Sequence, residues 1–330
     1  MQNENMLDES KLLTFEKLDF ICNTKLMENI NKLAVRAFRD RNHEAWKEIQ
    51  LLLFNINLKI MKNGFGLGSV EAMEDWLLRN IIEREEKKFL PQEKIPESVT
   101  NTTETFLFWI KNQIVQHRIN HHPLFSLFDN DDLSDEELRY FLANYRVNMQ
   151  RFHLHVAAYS LFAPFDMRGE LYNNLYDEMG QGNFQDAHPN LFEPLMEHFG
   201  GSFPEDINIE TCHLLNTKIS ICWFSKGFYY GLGGMGALEL SIPYQQRRIL
   251  AHFRRRKLSD KLVKFFVVHC ECDEHHGNEW FNAGMPHVQT KEQYEEVYWG
   301  AMRILEARAG VFDGILKGIM SRREKSNVKY

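Results

Sequence analysis

Apolar residues recur at helical spacing along almost the whole chain, and strand-like alternation is scarce. Over residues 25–62, Leu26, Ile30, Leu33 and Ala34, then Trp46, Ile49, Leu53, Ile56 and Ile60, keep that spacing. Gly64-Phe65-Gly66-Leu67-Gly68 interrupts the pattern. No strand precedes it and no Gly-Lys-Ser/Thr follows, so it reads as an inter-helix turn, not a phosphate loop. The polar stretch 91–98 reads as a linker. Beyond it the spacing predicts a helix over about 103–118, and Ser134 with Glu137 forms a capping box for a long helix to about Phe162. Further helices are predicted over roughly 167–180, 189–199, 208–240, 244–257 and 259–277, with a last one near 291–321. Ser259 is placed to cap the 259–277 helix. The predicted fold class is all-α, with an N-terminal helical extension over 1–98 and a larger domain over 99–330.

Three of these helices carry ionisable side chains where a core residue is expected. After the apolar run Phe265-Phe266-Val267-Val268 comes His269-Cys270-Glu271-Cys272-Asp273-Glu274-His275-His276. On a helix His269, Asp273 and His276 fall at i, i+4 and i+7, sharing one face with Leu262, Phe265 and Phe266. In the second helix Phe228, Leu232, Met235, Glu239 and Ile242 form an apolar seam with Glu239 as its single charge, and Pro243 is expected to close the helix. Gly231, Gly233, Gly234 and Gly236 each cost that helix about 1 kcal/mol against Ala, tolerable if backbones or a substrate approach closely. In the third, Leu171, Leu175 and Glu178 share a face. Gly180-Gln181-Gly182 then breaks the helix and His188-Pro189 opens the next, returning His188 toward Glu178.

An imidazole or carboxylate on a buried stripe needs a partner to offset its desolvation, and a metal ion is one such partner. A single buried Glu or His is commonly a satisfied core residue, and His275 and His287 are read as surface or supporting residues. His121, His122, His153 and His155 have no carboxylate at readable spacing. The coincidence of His269, Asp273 and His276 on one face, with Glu178, His188 and Glu239, favours a metal. Three imidazoles and three carboxylates without a required thiolate suit iron or manganese better than structural zinc. Six ligands exceed what one catalytic metal needs, and two metals bridged by carboxylate inside a bundle is the natural arrangement.

Composition narrows the classes of function. Apolar content of 44% and charged content of 26% are those of a soluble globular protein, and a net charge of −7 gives no footprint for nucleic acid. Arg254-Arg255-Arg256-Lys257 reads as a solvated helix end. With Arg247 and Arg248 it is otherwise a candidate carboxylate clamp. The cysteines at 22, 212, 222, 270 and 272 are odd in number and irregularly spaced, which is no disulfide framework. No stretch approaches 18 apolar residues and the N-terminus is polar. A cytoplasmic protein without membrane attachment is expected.

The motifs together resemble the haem-oxygenase-like non-haem diiron oxidases and oxygenases. His-x3-Asp-x2-His is present as His269, Asp273 and His276; the Glu followed shortly by His as Glu178 and His188; the isolated Glu in a small-residue helix ahead of Pro as Glu239. His122-Pro123-Leu124-Phe125 also resembles the opening of this family's fold. The resemblance covers about 105–320, and residues 1–98 resemble the helical extension of some N-oxygenating members. It implies a haem-oxygenase-like bundle holding two Fe ions through Glu178, His188, Glu239 (as bridge), His269, Asp273 and His276. It also implies O2 as co-substrate, an external reductant delivered by an electron donor, and a homodimer formed through 1–98.

Family members oxygenate amines, cleave or desaturate amino acids, or decarboxylate fatty acids. The N-terminal extension and the Glu178-to-His188 spacing resemble the N-oxygenases, which implies N-oxygenation of an amino-acid-derived amine in natural-product biosynthesis. The absence of any acid between 138 and 163 departs from members with an extra carboxylate. C–C cleavage or desaturation of an amino or fatty acid is the alternative reaction, and a metal-binding helical protein without turnover the alternative class. A haem enzyme would leave the three motifs unexplained. A thiamin-degrading enzyme of the same fold would need a nucleophilic thiol, for which Cys212 and Cys222 are the nominees.

Overall fold

A computed structural model describes residues 24–63, 69–224 and 227–327, and the Gly64–Gly68 segment lies outside the described residues. The chain divides into two compact units, residues 1–90 and 91–330. In the first, three helices, α1 (Thr24–Phe38), α2 (His43–Asn63) and α3 (Val70–Lys87), enclose a small core of Ala34, Ala37, Ala45, Ile49, Leu53 and Ile82. Asn42 Oδ1 accepts from Ala45 N at 2.9 Å, and Ser69 Oγ accepts from Ala72 N at 3.1 Å, so α2 and α3 each begin on a side-chain cap.

The second unit is built from α4 (Thr103–Gln116), α5 (Leu124–Asp129), α6 (Asp135–Met149), α7 (Phe152–Ser160), α8 (Arg168–Glu178), α9 (His188–His198), α10 (Ile209–Cys222), α11 (Phe228–Arg255), α12 (Asp260–Gly284) and α13 (Lys291–Asn327). Ile95 and Val99 are buried in this unit's core, so the 91–98 stretch packs with it. The described residues contain no strand, and none of their helices is long and apolar enough to cross a membrane.

At the centre α11 packs against both α12 and α13. The approach to α13 is backbone to backbone. A methyl group on Gly233 would overlap the Val297 carbonyl, and one on Gly300 would overlap the Tyr230 carbonyl. The glycines of α11 therefore serve helix packing, which brings the seam carrying Glu239 into the middle of the unit.

Several predicted helices differ from those observed. The capping box is present, with Glu137 N donating to Ser134 Oγ at 3.3 Å and Ser134 N to Glu137 Oε2 at 2.9 Å. The helix it opens nevertheless stops at Met149, and α7 starts afresh at Phe152, with Arg151 Nη1 donating back to the Val147 carbonyl at 2.7 Å. The 208–240 helix is two helices, because Gly227 takes a φ of 97° that side-chain-bearing residues rarely adopt. Pro243 does not close α11. The ring's φ suits a helix, and the missing N–H costs only the bond to the Glu239 carbonyl four residues back, while packing on both flanks holds the helix through to Arg255. The 259–277 helix runs on to Gly284, since Gly277 and Gly284 lie tight against Leu240 and Leu232 of α11.

Gly233→Ala is expected to lower the unfolding free energy by about 1–3 kcal/mol, the usual range for overpacking. Gly169→Ala, where a methyl group meets nothing within 4 Å, is expected to be neutral or mildly stabilising. Urea denaturation of both variants checks this pair.

Candidate metal centre

Glu178 is the last residue of α8 and His188 the first of α9. Between them Gly180, Gln181 and Gly182 have φ of 71°, 53° and 88°, a run of left-handed residues that reverses the chain. Gly180 is required twice, by its φ and because a Cβ there would stand 2.5 Å from Ala187 N. Asn183 Oδ1 steadies the return by accepting from Gln185 N at 3.2 Å, and Pro189 holds the first turn of α9. His188 Nδ1 ends 3.0 Å from Glu178 Oε1, yet without the alignment of a hydrogen bond. Two ligand atoms held this close can share a proton or a metal cation.

His269, from the buried face of α12, completes that cluster. One ligand atom each from Glu178, His188 and His269 lie within 4.8 Å of one another, all three residues buried, and the His188 and His269 ring centroids are 4.4 Å apart. The Phe265 carbonyl can only accept, so His269 Nδ1 donates to it at 2.8 Å and the lone pair is left on Nε2. His276, two turns on, is fixed in the opposite sense. Its Nε2 donates to Asp177 Oδ2 at 2.9 Å, and its Nδ1 is buried without a partner. Glu239, 1% exposed, accepts from Asn174 Nδ2 at 2.9 Å. Asp273 lies on α12 between the two histidines, and its side chain, like that of Cys272, is outside the described residues.

Electrostatics agree with this geometry. Burial, and then the neighbouring His188, pushes the His269 imidazole down to about 3, which keeps it neutral and able to ligate. Burial opposes ionisation of Glu178, but His188, His269 and His276 outweigh it and hold the carboxyl below its ordinary value. The same burial would lower His188, and Glu178 outweighs it in turn, so the imidazole is raised. Glu239 has less help, and burial pushes its carboxyl up to about 7. Buried carboxylates beside imidazoles with inward lone pairs form a donor set for a hard or borderline cation such as iron.

Asn174 and Asp177 escaped the sequence reading. They lie one turn and one residue before Glu178, and their roles are visible only once α11 and α12 pack on α8.

A cavity of about 60 Å³, room for several waters, opens beside Glu178, Glu239 and His269. Its wall includes Lys218 of α10 and Arg308 of α13, exposed by only 4% and 5%. Burial, with Arg308 next, pushes the Lys218 ammonium down to about 7. The arginines considered as a clamp are elsewhere: Arg248 pairs with Asp129, Arg255 with Asp131 and Arg256 with Asp135. The two candidate thiols are buried, which raises Cys212 to about 11 and Cys222 to about 12, opposite to an activated nucleophile. His122 is buried too, its Nε2 3.0 Å from Asp313 Oδ1 and its Nδ1 accepting from Leu124 N at 3.1 Å.

The bundle carries a buried carboxylate–imidazole cluster of a kind that can hold a metal ion. The chain belongs to the family of iron-containing redox enzymes, which matches residues 139–309. It is 26% identical over 231 residues, 64% of this chain and 92% of the relative, to the 4-aminobenzoate synthase of Nitrosomonas europaea. Solved structures share the fold. A CADD-like protein from Nostoc punctiforme has a TM-score of 0.57 at 17% identity, covering 66% of this chain and 97% of its own. A TenA homologue from Pseudomonas syringae has a TM-score of 0.57 at 14% identity, over 68% and 98%. A domain with a haem-oxygenase-like fold from Shewanella denitrificans has 0.51 at 15%, over 67% and 93%. The fold is the haem-oxygenase-like all-α bundle.

Two measurements probe the site. In metal-free protein, Glu239 has its carboxyl at about 7 folded, against 4.5 for the free side chain. Between these values the folded chain keeps a proton that the unfolded chain releases, so the Glu239 contribution to stability falls as pH rises. Glu239→Gln is therefore expected to gain on wild type from pH 4.5 to about 7 and to level off above; a difference independent of pH would contradict this. Asp177→Ala frees the His276 ring and is expected to weaken divalent-metal binding about 10–100-fold in chelator competition.

Proposed function

We propose that the protein is an O2-dependent non-haem diiron oxygenase that N-oxygenates an amino-acid-derived amine in natural-product biosynthesis. The observation that carries the metal reading is the buried convergence of Glu178, His188 and His269, one ligand atom of each within 4.8 Å of the others. Buried Glu239 and His276, whose Nδ1 has no partner, support a larger donor set than one ion needs, as does the position of Asp273 on the helix face of His269 and His276. Iron bound there supplies redox chemistry with O2.

The chain's own groups orient and protect this chemistry. The Phe265 carbonyl and Asp177 fix which nitrogen of His269 and of His276 faces the centre, and Asn174 fixes the Glu239 carboxylate. Apolar walls, among them Phe152, Leu238 and Phe265, limit water at the cavity. Hydroxylating an amine inserts one oxygen atom of O2 into an N–H bond, and the other leaves as water, taking up two protons and two electrons from an external donor. The relative is named for making 4-aminobenzoate, a small molecule with an amine and a carboxylate, which supports a ligand of that kind here. The N-terminal helical unit supports the likeness to N-oxygenases and is the proposed homodimer contact.

Iron analysis and O2 uptake by anaerobically Fe(II)-loaded protein, with mass spectrometry of products from a panel of amino acids and amines, test the reading. About two irons per chain, and hydroxylamine, nitroso or nitro products lost in His269→Ala, are expected. Products that have lost a C–C bond or C–H bonds of the substrate, with nitrogen unoxidised, would assign oxidative cleavage or desaturation instead. O2 consumed stoichiometrically without any product would mark a metal-binding protein without turnover.

A further inference from the structure

The cavity beside the metal ligands holds three polar groups that the metal does not use. Lys218 and Arg308 are both at least nine-tenths buried, and neither forms an ion pair in the described structure. Lys218 makes no hydrogen bond there, and its ammonium lies 5.5 Å from the Phe152 ring centroid. Arg308 Nη2 donates to Tyr145 Oη at 3.3 Å, while Nη1 is buried with no partner. Asn148, also nine-tenths buried, spends its amide N–H on the Thr211 carbonyl at 3.1 Å, leaving Oδ1 without a partner. A bond from nitrogen to a carbonyl fixes the amide's orientation, so the free atom is an acceptor.

Burial and the neighbouring Arg308 disfavour the charged form of Lys218, and an anion joining the two side chains would relieve that cost. Glu178 and Glu239 face the same cavity, but a bound metal neutralises both and leaves Lys218 and Arg308 uncompensated. The donors come from α10 and α13, whereas the metal ligands come from α8, α9, α11 and α12. An occupant is thus held by one set of helices and presented to another.

Resting on the diiron reading above, we propose that this cavity is the substrate subsite for a small amino carboxylate. Lys218 and Arg308 bind its carboxylate, and Asn148 Oδ1 accepts from its N–H. The carboxylate is then secured by protein cations and does not need to ligate iron. An arginine presents two parallel N–H bonds to a carboxylate, and lysine adds a point charge beside them. A fatty acid would satisfy the cations but leave Asn148 Oδ1 unpartnered.

The test is calorimetric binding of L-norvaline, L-norvalinamide, pentanoate and inorganic phosphate to the full-length protein, as isolated and after metal removal. L-norvaline is expected to bind most tightly, pentanoate more weakly, and the amide at least tenfold more weakly. Lys218→Met and Arg308→Met are expected to weaken L-norvaline at least tenfold without changing the amide. Equal binding of acid and amide would overturn the proposal, as would phosphate binding more tightly than L-norvaline. So would acid binding that disappears on metal removal but survives in Lys218→Met, since the metal would then hold the carboxylate. Removing an unpaired buried cation is expected to raise the thermal midpoint of ligand-free Lys218→Met; a fall would show a structural role and count against the proposal. Because this binding requires neither iron nor turnover, it stands or falls separately from the product analysis.

Discussion

The fold is organised around a desolvation problem. Glu178, Glu239, His188, His269 and His276 are all removed from water in the middle of an apolar helical unit. Taking an ion out of water costs several kcal/mol even after relaxation. Within the protein this cost is only partly met: Asn174 reaches one oxygen of Glu239, Asp177 reaches one nitrogen of His276, and the Phe265 carbonyl reaches one nitrogen of His269. Each of these contacts engages one polar atom of the side chain and leaves the other. His188 Nδ1 and His276 Nδ1 are buried without a hydrogen bond, and one ligand atom each of Glu178, His188 and His269 lie close enough to share a cation.

That arrangement depends on backbones coming unusually close. Gly233 and Gly300 allow α11 and α13 to touch through their carbonyls, and Gly277 allows α12 to lie against Leu240, next to Glu239. Gly180 allows the α8–α9 turn to fold flat on Ala187, so that the Glu178 and His188 donors meet. Pro243 adds a local effect, since it cannot donate to the Glu239 carbonyl one turn earlier. Glycine's conformational cost in these helices is thus exchanged for the closeness that a multi-helix metal site requires.

The same helices separate two tasks. Those that carry the candidate metal donors (α8, α9, α11 and α12) present carboxylates and imidazoles, while α10 and α13 present Lys218 and Arg308 across a shared cavity. The haem-oxygenase-like fold supports other chemistries too, and protonated thiols at Cys212 and Cys222 leave nucleophilic thiol chemistry without support here.

The helical periodicity, the capping box at Ser134, and the charges set into the seams at Glu178, Glu239 and His269–His276 were legible in the chain, because each is a local pattern with a period of 3.6 residues. The same test applied to Leu214, Leu215, Lys218, Ile219 and Cys222, or to Ile304, Leu305, Arg308, Val311 and Phe312, would have exposed the two buried cations, which charge alone disguised as surface. The breaks at Gln150–Arg151 and Gly227, and the continuation of α11 through Pro243, were not legible, since packing against neighbouring helices overrides local propensity. Sequence by itself determined which residues belong to an apolar face and which of them are chemically out of place there. Tertiary structure alone decided that Asn174 and Asp177 orient Glu239 and His276 and that Lys218 and Arg308 share a cavity. Those contacts join residues 65 to 99 positions apart, and no local period connects them.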